Sequence, residues 1–208
     1  MPPGGPTATS ELPHTIPGFL TPEECRAITG EIDAGFQEQA EIWLGEEFGV
    51  HPESRSGAVA TLATATEELV QDRLWSVMAQ LEERYRCEVS HVSGVTALIY
   101  RPGDHFAAHS DGGVDADAPP EITRRRVSLV VALNDGAGEQ PDFTGGELHF
   151  YPSCPPGADA APHDHVAVRS RPGLLIAFPS PMVHRVTPVV AGCRYSLAMW
   201  ALAPGGAA

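Results

Sequence analysis

The spacing of apolar residues changes near residue 89, and this change divides the chain into two kinds of structure. Before it, apolar side chains recur three and four positions apart, which predicts a helix from about Thr64 to Arg86 with one apolar face. After it, short apolar runs are bounded by Gly, Pro, Asn or Asp, which is typical of strands. These predicted strands are Val95–Tyr100, Val127–Leu133, Glu147–Tyr151, Val166–Arg169, Leu174–Phe178, His184–Thr187 and Tyr195–Ala201.

The first part of the chain also carries clear boundary signals. Residues 1–13 are rich in Pro, Gly and Thr and are predicted to form a disordered tail. Residues 14–20 read as a short extended segment, and Thr21-Pro-Glu-Glu24 then predicts a helix start with a capping box. That helix is expected to end near Gly35.

Residues 36–57 have no clear period, because apolar positions are interrupted by glycines. They are compatible with a lid or pocket wall and equally with an irregular segment packed on the surface. A strand is predicted from Arg55 to Ala60.

Short strands preceded by helices predict a mainly β protein with flanking helices, in which two sheets form a jelly roll. We expect one domain over residues 14–208, with a helical and irregular part at 14–88 and a jelly-roll core at 89–203. The Gly145-Gly146 pair reads as a tight turn that needs positive φ angles. A jelly roll is open at one end, which is a natural place for a ligand.

Composition and charge argue against several classes of function. The formal charge of −14 argues against a nucleic-acid partner, and the short basic run Arg124–Arg126 does not reverse it. No long apolar run predicts a membrane span, and residues 1–13 do not resemble a secretory signal. The cysteines at 25, 87, 154 and 193 lack metal-site spacing, so we expect reduced structural thiols in a cytoplasmic protein.

His109-Ser-Asp111, together with His184, is the candidate metal site. Residues two apart in an extended chain point to the same side, so His109 and Asp111 can hold one ion. Two imidazoles and one carboxylate occupy one face of an octahedral ferrous ion and leave the other positions open. The alternative is a solvated loop pair. A second triplet of the same type, His51-Pro-Glu53, lies in the irregular segment and lacks this context.

Arg194 is the candidate anion clamp, since a fixed guanidinium can bind the far carboxylate of a dicarboxylate by two parallel hydrogen bonds. Ser196 lies on the same face of the predicted strand and can share that carboxylate, with Trp200 as the pocket floor. A surface ion pair is the other interpretation of Arg194.

The remaining motifs have simpler interpretations. His105 is expected to be structural or to support the metal site, and His149 to pack within a strand. His163-Asp-His165 reads as a solvated loop. The acidic segment 112–121 is interpreted as a lid or as a solvated surface loop.

Several sequence motifs resemble those of the iron(II)- and 2-oxoglutarate-dependent oxygenases, in particular the prolyl-4-hydroxylase-like branch. They are Tyr100-x-x-Gly103, Phe106-x-x-His109-x-Asp111, Phe143-Thr-Gly-Gly-Glu-Leu148, Pro172-Gly-Leu-Leu-Ile-Ala-Phe178, His184-Arg-Val-x-Pro-Val189 and Gly192-x-Arg194-Tyr-Ser, with Trp200 beyond them. The resemblance implies a double-stranded β-helix, Fe(2+) on His109, Asp111 and His184, and 2-oxoglutarate anchored by Arg194.

The same resemblance implies that Tyr100 lines the co-substrate site, although a half-buried strand tyrosine is the alternative. It further implies O2 as oxidant, with ascorbate as a candidate reductant. Our first hypothesis is a hydroxylase of a small amino-acid-like or natural-product substrate. A protein or peptide prolyl hydroxylase is the second, and a metal-binding jelly-roll module without turnover is the third.

Overall fold

A computed structural model of the chain describes residues 12–43, 45–113, 117–156 and 164–205. Its helices are α1 (Pro22–Ala34), α2 (Thr64–Tyr85) and α3 (Pro120–Thr123). Its strands are β1 (His14–Ile16), β2 (Gln37–Gln39), β3 (Ile42–Trp43), β4 (Phe48–Gly49), β5 (Ala58–Ala60), β6 (His91–Val92), β7 (Thr96–Tyr100), β8 (Phe106–His109), β9 (Arg125–Ala132), β10 (Phe143–Gly145), β11 (Leu148–Tyr151), β12 (Val166–Val168), β13 (Leu175–Pro179), β14 (Val183–Val186), β15 (Val189–Gly192) and β16 (Arg194–Leu202).

Local sequence explains where the helices begin and end. Thr21 Oγ1 accepts from the Glu24 amide at 3.2 Å, and a Glu24 carboxylate oxygen accepts from the Thr21 amide at 2.8 Å. This is the predicted capping box, which satisfies two amides that a helix start leaves unpaired. Helix α1 stops at Gly35, whose backbone is extended. Helix α2 ends at Arg86, which adopts a left-handed conformation with φ of 51°.

The strands form two antiparallel sheets. The major sheet has the order β1-β13-β9-β16-β7-β5-β2, with β6 paired to the end of β16. The minor sheet has the order β12-β11-β14-β8. Two small ribbons, β3-β4 and β10-β15, complete the described strands. The predicted arrangement of a mainly β fold with two sheets and flanking helices is therefore confirmed.

Alternation of side chains along the major sheet produces two apolar cores. On β7, Ala97 and Ile99 pack with the apolar faces of α1 and α2, whereas Leu98 and Tyr100 face the minor sheet. Strand β13 repeats this division, with Leu175 toward the helices and Phe178 between the sheets. Burial on both faces explains why these strands are apolar at nearly every position.

The strands predicted from the sequence are all present, with ends that coincide or differ by at most three residues. The unpredicted elements are short ones, and they include β8, which carries His109, and the ribbon β10-β15. Residues 36–57 contain β2, β3 and β4, and part of the predicted loop at 112–121 is helix α3. Residues 1–11 and 114–116 lie outside the described residues, so the predicted tail is largely untested, and the proposed domain boundaries stay predictions.

Two further expectations concern chemistry outside the core. None of the four cysteines, all of which lie in the described part of the chain, forms a disulfide, which agrees with the prediction of reduced thiols. Burial raises the pKa of the Cys25 thiol to about 11, so this thiol is protonated at neutral pH. No helix in the described part of the chain is long and apolar enough to cross a membrane.

Gly173 connects the start of the chain to the major sheet, and its replacement tests this packing. Its carbonyl accepts from the Phe19 amide at 2.9 Å, its φ is +77°, and a Cβ there would lie 1.9 Å from the Leu20 carbonyl oxygen. We expect Gly173→Ala to lower the free energy of unfolding by about 2 kcal/mol or more.

Gly30→Ala is the matched control, because Gly30 lies in α1 and a Cβ there meets nothing within 4 Å. Since alanine favours the helix, this variant should be more stable by about 0.5–1 kcal/mol. Urea denaturation of both variants measures the difference. Equal stability of Gly173→Ala and the parent protein would show that the contact with Leu20 does not constrain the fold.

Candidate active site

Three of the predicted site residues converge where β8 meets β14. His109 and His184 are directly paired across these antiparallel strands. Asp111 follows β8 by two residues, and its carboxylate oxygens lie 3.5 Å from Nε2 of His109 and 3.6 Å from Nε2 of His184. One donor atom from each of the three residues lies within 4.8 Å of the other two. Such a cluster is compact enough to share one cation.

Backbone carbonyls orient both imidazole rings. Nδ1 of His109 lies 2.8 Å from the Ala107 carbonyl oxygen, and Nδ1 of His184 lies 2.9 Å from that of Met182. Because a carbonyl oxygen only accepts, each Nδ1 carries the proton and each Nε2 keeps its lone pair. Both Nε2 atoms therefore face Asp111 as electron-pair donors, which is the arrangement that a metal ligand requires.

Asp111 is held by its surroundings in an ionised state. The Ser128 hydroxyl donates to its Oδ2 at 2.6 Å, and its backbone amide donates to the Ser180 carbonyl at 2.9 Å. Burial alone would raise the pKa of Asp111. In the acidic range where a carboxyl group titrates, the positive charge of the protonated His184 and His109 rings and the Ser128 hydroxyl outweigh burial and hold the pKa well below its ordinary value.

His184 is held in the neutral state. Burial, followed by the neighbouring His109, lowers the pKa of His184 to about 4 although Asp111 opposes the shift. The imidazole is therefore unprotonated at neutral pH. A neutral imidazole beside an ionised carboxylate is the protonation state in which these groups bind metal, so the residues fit a divalent cation.

Arg194 is buried at the start of β16, with 2% of its surface exposed. It pairs across the sheet with Tyr100, and its guanidinium carbon lies 5.5 Å from the Tyr100 ring centre. Its Nη1 donates to the Ser196 hydroxyl at 2.9 Å, as expected from their common face. The turn at Gly145 and Gly146 has the predicted positive φ angles, and a Cβ on Gly146 would lie 3.1 Å from Arg194 Cδ.

The charge of Arg194 lacks a counter-ion. None of the ion pairs formed by the described residues includes it, and its Nε is buried without a hydrogen-bond partner. Burial lowers the pKa of this guanidinium, although it starts far above neutrality. A buried, unpaired arginine is unfavourable unless an anion joins it, so this position fits a carboxylate-bearing molecule.

A cavity of about 450 Å³ opens beside the three convergent residues. Its walls come from β8, the segment after it, the β3-β4 hairpin and the ends of β9 and β16; they include Trp43, Phe48, Arg55, Phe106, His109, Asp111, Ile122, Arg125 and Trp200. The middle segment thus forms a pocket wall, as one of its two interpretations expected. Trp200 lines this cavity, whereas Arg194, Ser196 and Tyr100 are not among its lining residues.

The other histidines are structural in the described part of the chain. His105 contacts the Ser56 hydroxyl at 3.2 Å and the Glu53 carbonyl at 3.2 Å. His149 is buried beside Glu147, and its ring stacks on that of His165 at 3.9 Å between centres. The expectation that His165 is simply solvated is therefore incomplete, and His163 lies outside the described residues. His51 contacts Ser54 and takes no part in the cluster.

Sequence reasoning missed two residues that surround Asp111. Ser128 holds the carboxylate, and Arg125 donates from Nη1 to the Asp111 carbonyl at 3.2 Å. The available signal was the alternation along β9, because Val127 and Leu129 face the helices and Ser128 must then face the minor sheet. A hydroxyl on that inward face requires a polar partner.

Comparison with known proteins identifies the family. A model of the 2OG-Fe(II) oxygenase superfamily matches residues 95–202, from the start of β7 to the end of β16. A PKHD-type hydroxylase of Picosynechococcus is 30% identical over 188 residues, which cover 89% of this chain and 75% of that protein. A PKHD-type hydroxylase of Shewanella baltica is 26% identical over 155 residues and 70% of this chain. The chain spans 63% of the length of that relative.

The fold agrees with this identification. The crystal structure of a Pseudomonas putida prolyl-4-hydroxylase superposes with a TM-score of 0.66 at 24% identity, covering 94% of both chains. Together with the observed two-sheet topology, this confirms the double-stranded β-helix that the resemblance implied. The chain belongs to the 2OG-Fe(II) oxygenase superfamily.

Proposed function

We propose that this protein is an Fe(2+)- and 2-oxoglutarate-dependent hydroxylase of a small amino-acid-like substrate. His109, Asp111 and His184 are the proposed iron ligands. Arg194, Ser196 and Tyr100 are the proposed contacts of 2-oxoglutarate. The single observation that carries the proposal is the convergence of three donor groups within 4.8 Å, of which Asp111 is ionised and His184 is neutral.

Bound iron would supply the oxidising chemistry, in which O2 and 2-oxoglutarate are consumed and a substrate C–H bond is hydroxylated. The residues of this chain supply binding and orientation. The carbonyls of Ala107 and Met182 hold the two imidazoles with Nε2 toward the ion, and the Ser128 hydroxyl fixes one oxygen of Asp111. Three protein ligands leave the remaining iron positions for small molecules.

Arg194 is suited to bind the end of 2-oxoglutarate that is remote from iron. Its guanidinium lies in an enclosed position where water does not compete, and Ser196 adds a hydroxyl beside it. Charge-assisted hydrogen bonds to arginine are strong and directional, so they can set the position of the keto acid. The Tyr100 ring forms an adjacent surface against which the hydrocarbon part can pack.

The aromatic walls of the cavity separate the reaction from bulk water. Phe106 stacks on the His109 ring with 3.5 Å between centres. Trp43 packs edge to face with Phe48 within the β3-β4 hairpin. A concave cavity with aromatic walls and a small number of placed polar and charged groups is typical of sites for small molecules. This supports a compact substrate.

A peptide hydroxylase is the second candidate, and one observation favours it. Arg55 lines both the cavity beside His109 and a neighbouring cavity of about 480 Å³ that is bounded by β2 and β5. A groove running through both would accommodate an extended chain. Screening free amino acids and short peptides for a mass gain of one oxygen separates the two candidates, because only the second requires peptide bonds on both sides of the modified residue.

Loss of the proposed iron ligands tests the enzymatic proposal. With Fe(2+), 2-oxoglutarate and ascorbate, the purified protein should form succinate, and His109→Ala, Asp111→Ala and His184→Ala should each abolish it because too few donors remain. His51→Ala is the matched control, since the side chain of this exposed histidine hydrogen-bonds with Ser54 and its loss should leave turnover unchanged. Iron binding without any succinate would instead support a metal-binding module.

Arg194→Ala tests the anchor for 2-oxoglutarate. Removing one partner of a buried ion pair costs about 3–5 kcal/mol, so the 2-oxoglutarate requirement should rise by about 100-fold or more while iron affinity is retained. Titration of succinate formation with 2-oxoglutarate measures this. Arg26→Ala, which alters an exposed arginine paired with Glu23, should behave as the parent protein. An unchanged 2-oxoglutarate requirement in Arg194→Ala would remove the arginine from this role.

Ser128→Ala and Ser196→Ala distinguish the proposed iron site from the proposed 2-oxoglutarate site. Without the hydroxyl on Asp111, Ser128→Ala should weaken Fe(2+) binding by about 10- to 100-fold, as expected for a residue that orients a ligand. Ser196→Ala should leave Fe(2+) affinity intact and raise the requirement for 2-oxoglutarate. Anaerobic calorimetry gives both affinities. The same loss of Fe(2+) affinity in the two variants would contradict this division of roles.

A further inference from the structure

Two arginines outside the proposed iron and 2-oxoglutarate sites line the cavity beside His109. The guanidinium carbon of Arg55 lies 4.7 Å from the Phe106 ring centre, and that of Arg125 lies 3.8 Å from the Trp200 ring centre. Aromatic faces hold planar guanidinium groups in place without neutralising them. Both positive charges are therefore fixed at the cavity wall.

The polar partners of these arginines are neutral. Arg55 donates from Nη1 to the Glu41 carbonyl at 3.1 Å. Arg125 donates to the Glu121 carbonyl at 3.1 Å and to the Asp111 carbonyl at 3.2 Å. None of the ion pairs among the described residues includes either arginine. Arg55 thus has no acidic partner among the described residues, and the charge of Arg125 is opposed only at longer range by Asp111 and Glu121.

Hydrogen-bond donors are also in excess at this wall. Nε of Arg55 and Nε1 of Trp200 are buried without a hydrogen-bond partner. A buried donor without an acceptor destabilises the protein. The guanidinium groups of Arg55 and Arg125 carry further N–H donors, so this wall favours a ligand that brings acceptors. A carboxylate has two oxygens that only accept, and it carries the complementary charge.

Both arginines lie close to a proposed iron ligand. Arg55 covers the Phe106 ring, which in turn stacks on His109, and Arg125 contacts the backbone of Asp111. The charge of Asp111 is committed to iron when the metal is bound, so it does not balance the arginines. Glu41 also lines the cavity, and its exposed side chain would suit an amino group at the mouth.

We propose that the substrate is a small amino-acid-like acid whose free carboxylate is bound by Arg55 and Arg125. This rests on the proposed hydroxylase function and names the substrate class of the same site. A cavity of about 450 Å³ encloses a molecule of this size. An internal peptide segment would offer only neutral carbonyl groups to these arginines and would leave their charges unneutralised.

Binding, without turnover, tests the proposal. The protein is loaded with Mn(2+) in place of iron and saturated with 2-oxoglutarate, so that the co-substrate site is filled. Saturation-transfer NMR is then recorded with free amino acids, with their primary amides, and with the same residues inside blocked tripeptides. We expect at least one free acid to bind about tenfold or more tightly than its amide and its blocked tripeptide, because only the acid pairs with guanidinium.

Variants of Arg55 test whether this residue causes the preference for free acids. Arg55→Gln should weaken binding of that acid by about tenfold, Arg55→Lys should retain most of it, and Arg26→Gln should leave it unchanged. Unfolding temperature and Mn(2+) affinity, measured for each variant, show whether the fold and the metal site are intact. Retention of full affinity in a folded Arg55→Gln variant overturns the role of this residue.

Equal binding of acids and amides, preference for blocked tripeptides, or no binding by any acid overturns the substrate class. These outcomes are separable from failure of the hydroxylase proposal. Succinate formation in the iron-loaded protein without a preference for acids would leave the hydroxylase and remove the carboxylate site. Selective binding of acids without any succinate formation would support the carboxylate site and contradict the hydroxylase function.

Discussion

Backbone pairing between β8 and β14 is the constraint on which the candidate site depends. These strands are distant in sequence, yet their register sets His109 opposite His184 and leaves Asp111 at the strand end between them. Each imidazole is then fixed by the backbone carbonyl two residues before it. The metal-binding geometry therefore follows from hydrogen bonds of the main chain, and Ser128 on the major sheet completes it by holding the carboxylate.

The second general feature of the structure is the presence of arginines without close ion-pair partners in its interior and at its cavity. The chain is acidic overall, but the interior of the barrel and the cavity wall contain Arg194, Arg55 and Arg125, none of which forms a close ion pair with an acidic side chain of the described residues. Arg194 is buried beside Tyr100 and Ser196, whereas Arg55 and Arg125 line the cavity. Two separate sites for anions are the simplest physical explanation. One fits the dicarboxylate that the family uses, and the other fits the substrate.

Much of the fold was predictable because its strands are buried on both faces. Runs such as 174–178 are apolar throughout, and glycine or proline marks their ends, so composition alone outlined them. Strand β8 was not predicted, since Phe106–His109 is short, half exposed and defined by pairing with a remote strand. The ribbon β3-β4 was missed for the same reason: local sequence does not specify long-range pairing.

The site was predictable where chemistry restricts residue type, and less so where geometry decides. Histidine and aspartate in an extended triplet could be recognised, and the common face of Arg194 and Ser196 followed from strand alternation. The roles of Arg55 and Arg125 could not be recognised, because they depend on the aromatic rings that the fold brings beneath them. Trp200 was expected beside Arg194, but its side chain lines the other cavity, against Arg125.

The most direct test of the account is a crystal structure of the protein with Mn(2+) and 2-oxoglutarate. The account predicts one ion bonded to Nε2 of His109, Nε2 of His184 and a carboxylate oxygen of Asp111, with the far carboxylate of 2-oxoglutarate on Arg194. An ion bound elsewhere, for example beside His149 and His165, or a 2-oxoglutarate that leaves Arg194 without a partner, would contradict it.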